Sequence, residues 1–496
     1  MSTSITASML YNLVQCPHRL SLDLHEDPAK RDPESKFVKL LWEKGTAFEQ
    51  EVIQNLALPF TDLSTKPSDE RERLTSEAMA REDELIYAGR IRTDNLLGDP
   101  DLLRRQGNGY VAGDIKSGAG EEGASDVSDG KPKKHYAVQL SLYTDILEQI
   151  EISAGRFPFI WDIHGQEVVY NLDAPQGPRT PETLWHVYES TLQFASKILS
   201  QPALTLPALG GTCKLCHWHT LCEVRLNKIG DLSLIPALGR AKRDAMIDHV
   251  KTISQLAHTD ITAMITGSKT VIPGIGPATL KKFQDRALLL VDPKARPYLK
   301  TKLRFPSAKV ELFFDIETDP MRDICYLHGF VERIDQDSST ERYIPFLADT
   351  PSAEAEREAF SKAYAYVQSS QPCILYFYSK YERTWWRKLR ERYTDVATEE
   401  QIEAMFDPET AVDLYYDVVV RHSEWPTNDH SIKTLASYLG FKWRDTSPSG
   451  AESIEWYYRW IETADPKIRQ RILEYNEDDC LATRVLLDGI RTLNVR

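Results

Sequence analysis

Cysteine is scarce in this chain, 7 in 496 residues, which leaves too few for a disulfide-rich scaffold. No apolar run approaches the length of a membrane span. The opening Met1-Ser-Thr-Ser-Ile5 lacks the basic start and apolar core of a secretory leader. A membrane role is therefore not expected, and the expected location is the cytoplasm, where thiols stay reduced and open to metal. An excess of positive charge is also missing. Lys and Arg number 60 against 74 Asp and Glu, a formal net charge of −14. That excludes unspecific polyanion binding by the whole surface and leaves such contacts to local basic patches. The remaining composition, 42% hydrophobic and 27% charged, is that of an ordinary globular chain, long enough for about two to four domains.

The few cysteines are unevenly placed. Cys213, Cys216 and Cys222 stand at C-x2-C-x5-C spacing beside His217 and His219, and Cys16 lies far upstream in Val14-Gln-Cys16-Pro-His-Arg19. Two cysteines separated by two residues reach one metal centre from a single turn. The four cysteines read as one site that ties the start of the first domain to its end. Spacing alone does not separate a four-thiolate zinc site from an iron–sulfur cluster, nor does it exclude His217 or His219 as ligands.

Along the chain, Ser8 or Thr6 caps a first helix that Cys16-Pro17 ends. Leu40 to Leu56 and Glu70 to Ala80 read as further helices. The period then changes to that of strands. Glu84–Gly89 is one strand, Gly98-Asp-Pro-Asp101 turns into a second, and Gly109–Lys116 is a third. Side chains two apart on a strand share a face, so Asp114 and Lys116 point together, with Asp101 beside them on a neighbouring strand. Two carboxylates that hold a hard cation and a lysine that stabilises developing charge suit metal-dependent phosphodiester hydrolysis, although Asp-x-Lys also describes an ordinary salt-bridged strand face. Ser117 to Gly130 is a Gly-, Ser- and acid-rich loop. On the helix Tyr136 to Ile150, Gln139 and Tyr143 share a face. They either touch a base or phosphate or, for Tyr143, fill the core.

Leu234-Ile-Pro-Ala-Leu-Gly239 and Ile272-Pro-Gly274-Ile-Gly276 resemble helix-hairpin-helix turns, the second more closely. In such turns glycines let backbone N–H groups approach a phosphate. Gly274, Gly276, Lys281 and Lys282 are the candidate contacts. From Lys281 to Lys309 the basic residues outnumber Asp285 and Asp292, giving the most basic stretch of the chain, either a backbone-binding strip or a solvated linker.

The last third opens on Val310-Glu-Leu-Phe-Phe-Asp315-Ile-Glu317, a buried strand with both acids on one face. A later helix, Arg469 to Leu487, carries Tyr475 and Asp479 four residues apart. Converging carboxylates of this kind hold paired divalent cations, Mg²⁺ or Mn²⁺, and a tyrosine among them can align a water.

Two resemblances follow. Cys16, Gly98-x-x-Asp101, Asp114-Ile-Lys116, Gln139-x-x-x-Tyr143 and the three later cysteines, in that order, look like the RecB-type PD-(D/E)XK nucleases with a four-cysteine iron–sulfur clasp. The resemblance implies a [4Fe–4S] cluster on Cys16, Cys213, Cys216 and Cys222, and metal on Asp101 and Asp114. The family's helical histidine ligand is replaced by Phe48 in Gly45-Thr-Ala-Phe48-Glu49, which weakens the site unless Glu49 or Asp99 substitutes. Asp315-Ile-Glu317 with Tyr475-x-x-x-Asp479 resembles the DEDDy 3′–5′ exonucleases of the RNase H-like fold. That family takes a further acid from a helix after a strand, the place of Glu382 here, with Asp413 and Asp417 as rivals.

The expected fold class is α/β multidomain. It comprises a restriction-endonuclease-like domain over 1–228, a small helical connector over 229–306, and an RNase H-like domain over 307–496. The expected function is a metal-dependent DNA nuclease in repair, recombination or defence, a 3′–5′ exonuclease in its C-terminal half. The alternatives are an Fe–S scaffold that grips nucleic acid for a partner helicase, or an RNA-processing exonuclease.

Overall fold

The computed structural model describes residues 4–122, 130–177, 180–202, 204–446 and 449–496. Residues 123–129 of the Ser117–Gly130 loop lie outside them. The chain forms two compact units, the first Met1–Pro207 with Gly211–Glu223, the second Ala208–Gly210 with Val224–Arg496. Among the described residues no helix is long and apolar enough to cross a membrane.

The first unit is built on a six-stranded mixed sheet, in the order Glu167–Val169, Phe159–Trp161, Gly109–Ile115, Leu102–Gln106, Leu85–Tyr87, Thr61–Asp62. Its central strand, Gly109–Ile115, is buried along its whole length. Gly113 is required there, because a Cβ at that position would meet the Phe159 ring at 2.4 Å. The helix Lys134–Gln149 covers this strand and also packs on the first helix, Ala7–Gln15. Thr6 caps that first helix by accepting from the Met9 amide at 3.2 Å. Cys16 ends it, and Pro17 opens the next helix, where its missing N–H costs nothing.

The second unit holds a five-stranded sheet in the order Asp337–Leu347, Ile324–Ile334, Val310–Asp319, Cys373–Phe377, Ala411–Asp413. The first three strands form an antiparallel meander, and the last two run parallel to the central one. Val310–Asp319 is nearly continuous in apolar residues up to its acids, as a strand buried on both faces must be. Phe314 stacks on Phe330, with ring centroids 4.7 Å apart, and Trp386 closes on Phe314 edge-on. The long helix Pro466–Arg491 packs across the central strand.

The same unit contains a smaller helical cluster, Leu226 to Ala287, with its own apolar core of Leu226, Leu238, Met246, Leu256, Ile275 and Phe283 among others. Its last helix, Pro277–Val291, is fixed to the sheet domain by a buried ion pair, Arg286 Nε to Glu424 Oε2 at 2.8 Å. Lys300 joins Glu424 at 2.7 Å. Tyr298–Leu299 pairs in antiparallel fashion with Ser423–Glu424.

Candidate active site

Three acids converge in the second unit. Asp315, Glu317 and Asp479 bring ligand oxygens within 4.8 Å of one another, the one such group of metal-ligating side chains among the described residues. Asp315 and Glu317 leave the same face of Val310–Asp319, and Asp479 comes from the helix packed across it. The electrostatics register the crowding. Burial, then the charges of Asp479, Glu317 and Glu382, hold the Asp315 carboxyl well above its ordinary value. Burial and Asp479 push Glu317 up to about 8. Like charges this close do not all ionise unless a cation joins them, and three hard oxygen donors are the set that Mg²⁺ or Mn²⁺ takes. The donor set therefore fits a divalent cation.

Several residues hold this arrangement. Asn476 donates to Asp315 Oδ2 at 2.8 Å, while its own oxygen accepts from the Tyr343 hydroxyl at 2.8 Å. Room for Asn476 comes from Gly329, opposite Asp315 on the neighbouring strand, where a Cβ would fall 1.6 Å from Asn476 Oδ1. Tyr475 lies beside Asp479; burial, then the Asp479 charge, raises its phenol, and its oxygen accepts from Lys433 Nζ at 3.0 Å. Lys433 lowers Asp315, Glu317 and Asp479 alike, against the larger effect of burial. Trp443 Nε1 donates to Asp479 Oδ1 at 2.6 Å.

Residues 312–490 match the family model of the RNase H superfamily. The C-terminal part is an RNase H-like domain. Members of that superfamily are nucleases, and the acid group lies inside the matched span. No curated protein matches the chain.

Glu382 lies near this group without being one of the three. Glu382 is buried in the first turn of Tyr381–Arg392, its charge reaches Asp315, and its Oε2 has no hydrogen-bond partner among the described residues. Asp413 is committed elsewhere. One of its oxygens accepts from the amides of Ser379, Tyr415 and Tyr416 at 2.9–3.1 Å. It thereby holds Ser379 in a left-handed conformation, φ 101°, a strained turn that sets Tyr381–Arg392 and with it Glu382. Asp417 is exposed and paired with Arg421 at 3.0 Å. Glu477 and Asp478 are both taken by Arg444. Asn476, Lys433 and Trp443 carried no sequence signal; only the position of Asn476 beside Tyr475 pointed to it.

The first unit brings Asp101, Asp114 and Lys116 together as a smaller group. Asp101 Oδ2 accepts from the Ile115 amide at 2.8 Å, and Lys116 Nζ lies 2.9 Å from Asp114 Oδ2. Burial and the charge of Asp114 raise Asp101 to about 8, with a smaller push from Glu49. Glu49 accepts from the Tyr87 hydroxyl at 2.8 Å, whereas Asp99 turns to Arg71 and Arg90. Phe48 packs against the apolar cluster beside this sheet. Tyr143 is a core residue, buried, with its hydroxyl donating to the Asp99 carbonyl and accepting from Gln139. A nucleic-acid contact by its ring is therefore corrected to a packing role: Gly98 lies so close that a Cβ there would meet that ring at 2.6 Å.

Cys16, Cys213, Cys216 and Cys222 are half-buried, all within the first unit. Burial raises Cys216, and Cys16 and Cys213 raise it further, so three of the four thiols are electrostatic neighbours. His217 Nε2 bonds Asp23 at 2.7 Å, and Trp218 Nε1 bonds the same oxygen at 2.9 Å. Asp23 thus ties the cysteine-bearing turn to the second helix.

In the helical cluster Gly274 has φ 75°, a conformation that favours glycine, and Gly276 caps Pro277–Val291. Both are exposed. Lys281 is paired with Asp285, and Lys282 is half-buried with its ammonium lowered by burial and Arg286.

Proposed function

We propose that the RNase H-like domain is a Mg²⁺- or Mn²⁺-dependent 3′–5′ exonuclease acting on DNA. The observation that carries this reading is the convergence of Asp315, Glu317 and Asp479 within the matched domain. Those three would hold the metal, with the buried Glu382, whose Oε2 has no hydrogen-bond partner among the described residues, as the fourth acid. A divalent cation bound there supplies the Lewis acidity that generates the nucleophile and stabilises the leaving 3′-oxygen. Tyr475 orients. One lone pair of its oxygen is taken by Lys433, which leaves the other lone pair to accept from the attacking water. Lys433 adds a positive charge beside a site that receives a phosphate.

The first unit is read as a restriction-endonuclease-like, RecB-type half in which Asp101, Asp114 and Lys116 form a weaker site. Lys116 occupies Asp114, and Phe48 offers no ligand. This favours gripping nucleic acid over cutting it, alongside a partner such as a helicase. The four cysteines are read as a [4Fe–4S] clasp, or a structural zinc site. What supports either is the four half-buried thiols within one unit, three of them electrostatic neighbours, and a turn fixed by Asp23. The helical cluster is read as a helix-hairpin-helix connector that contacts phosphates through Gly274, Gly276, Lys281 and Lys282, and the location as the cytoplasm.

The test is cleavage of end-labelled single- and double-stranded DNA and RNA with Mn²⁺, comparing wild type, Asp315→Asn and Asp114→Asn. Release of mononucleotides from the 3′ end that fails in Asp315→Asn is the expected result. Cleavage of circular DNA that is lost in Asp315→Asn refutes the exonuclease assignment.

A further inference from the structure

Resting on the reading of Asp479 as a metal ligand, we propose that Trp443 is a positioning residue that makes Asp479 a one-oxygen ligand. The indole N–H holds Asp479 Oδ1 at 2.6 Å, a charge-assisted bond at the short end of its range. An outer partner of this kind fixes the orientation of a ligating carboxylate and with it the geometry a cation meets.

Trp443 is itself held. The neighbouring Arg444 is pinned to Pro466–Arg491 through its amide on Asp478 Oδ2 at 2.8 Å, its Nε on Asp478 Oδ1 at 2.9 Å, and its Nη2 on the Glu474 carbonyl at 2.8 Å. Arg471 reaches back to Asp445 at 2.6 Å. Phe441 packs edge-on to the Trp443 ring, with centroids 4.8 Å apart. The stretch 441–445 is thus a strap fastened just after Trp443, through Arg444 and Asp445, to the helix that carries Asp479. This also explains why Glu477 and Asp478, acidic residues beside a metal site, are not ligands: they anchor the strap.

The arrangement has a consequence for which cation is taken. Mg²⁺ demands near-octahedral geometry and suits single-oxygen carboxylates, whereas Ca²⁺ accepts both oxygens of one carboxylate in a looser shell. By keeping Oδ1, Trp443 biases the site against Ca²⁺.

The experiment measures metal binding directly on the full chain, without turnover. Free Mn²⁺ is followed by its electron paramagnetic resonance signal, with Ca²⁺ as competitor, for wild type, Asp315→Asn, Trp443→Phe and Trp443→Phe in an Asp479→Asn background. Trp443→Phe keeps the ring and removes the N–H. It should weaken Mn²⁺ binding about 10-fold, the usual effect of losing an outer-shell partner, and improve competition by Ca²⁺. In the Asp479→Asn background the same change should have little further effect. If Trp443→Phe fails to fold, Arg444→Gln, which loosens the strap without touching Asp479, should show the same shift toward Ca²⁺ at smaller size. Mn²⁺ and Ca²⁺ binding unchanged within twofold in a folded Trp443→Phe overturns the proposal, as does an equal loss in the Asp479→Asn background. Wild type and Asp315→Asn binding Mn²⁺ equally would overturn the underlying metal-site reading as well, so the two failures are distinguishable.

Discussion

Lys433 donates to the Tyr475 hydroxyl at 3.0 Å from a different helix, Ile432–Tyr438, and its ammonium also lies 4.9 Å from the Tyr475 ring centroid. The tyrosine is thereby held by Lys433 at both its hydroxyl and its ring.

This pairing predicts coupled kinetics. Lys433→Met and Tyr475→Phe should each lower kcat, and the double variant should be little worse than the poorer single one. The expected coupling is about 0.5–3 kcal/mol, the range for residues in one hydrogen-bond network. A double-mutant cycle on kcat checks it; additive losses mean that Lys433 acts independently of Tyr475.

Gly329→Ala should act on the site without touching an acid. The added methyl would take the space of Asn476 Oδ1, so Asn476 must leave Asp315 and Tyr343. A loss of about 1–3 kcal/mol of stability from overpacking is expected, together with weaker Mn²⁺ binding. Urea denaturation and Mn²⁺ titration of the same preparation check both, and a stable protein with full metal affinity contradicts the role given to Asn476.

His328 should steepen acid unfolding. It is buried, Trp386 Nε1 donates to its Nδ1 at 3.2 Å, and burial lowers its pKa to about 3. The unfolded chain takes up this proton near pH 6.5. Between those values the unfolded state binds more protons, so stability falls as pH drops from about 6.5 toward 3, by up to about 1.4 kcal/mol per pH unit from this group. His328→Gln should be less stable at pH 7 and show a shallower decline from pH 7 to pH 5 in urea midpoints. Identical slopes would show that His328 does not take part.

Cys216→Ala should remove whatever the four thiols bind. Anaerobically purified wild type is expected to be brown and to contain iron, and the variant colourless and more readily proteolysed within residues 1–223. A colourless wild type with stoichiometric zinc selects the zinc alternative, and metal-free protein of wild-type stability removes the clasp altogether.

The parts of the site legible in the sequence are those set by local periodicity. Asp315 and Glu317 lie two apart on a strand, Tyr475 and Asp479 four apart on a helix, and each spacing alone dictates a shared face. Asp114 and Lys116 were legible for the same reason. Residues delivered by tertiary approach carried no such mark. Lys433 follows a Ser431 cap and reads as an ordinary helical lysine, and Trp443 reads as core. The backbone partners of one Asp413 oxygen are likewise set by tertiary approach and carry no mark in the sequence. Tyr143 shows the reverse case: a polar-looking face of Gln139 and Tyr143 was closed by the nearness of Gly98, which sequence spacing does not report.

The buried pair of Arg286 and Glu424 decides where the chain can be cut. A fragment beginning at residue 307 would keep Glu424 in its low-exposure position yet lose Arg286 and Lys300, its two cations, along with the Tyr298–Leu299 strand. Stranding one partner of a buried ion pair typically costs about 3–5 kcal/mol, a large share of the stability of a single domain. Proteolysis should accordingly spare the region between the helical cluster and the sheet, and a self-sufficient RNase H-like fragment has to start near Val224, carrying the cluster with it.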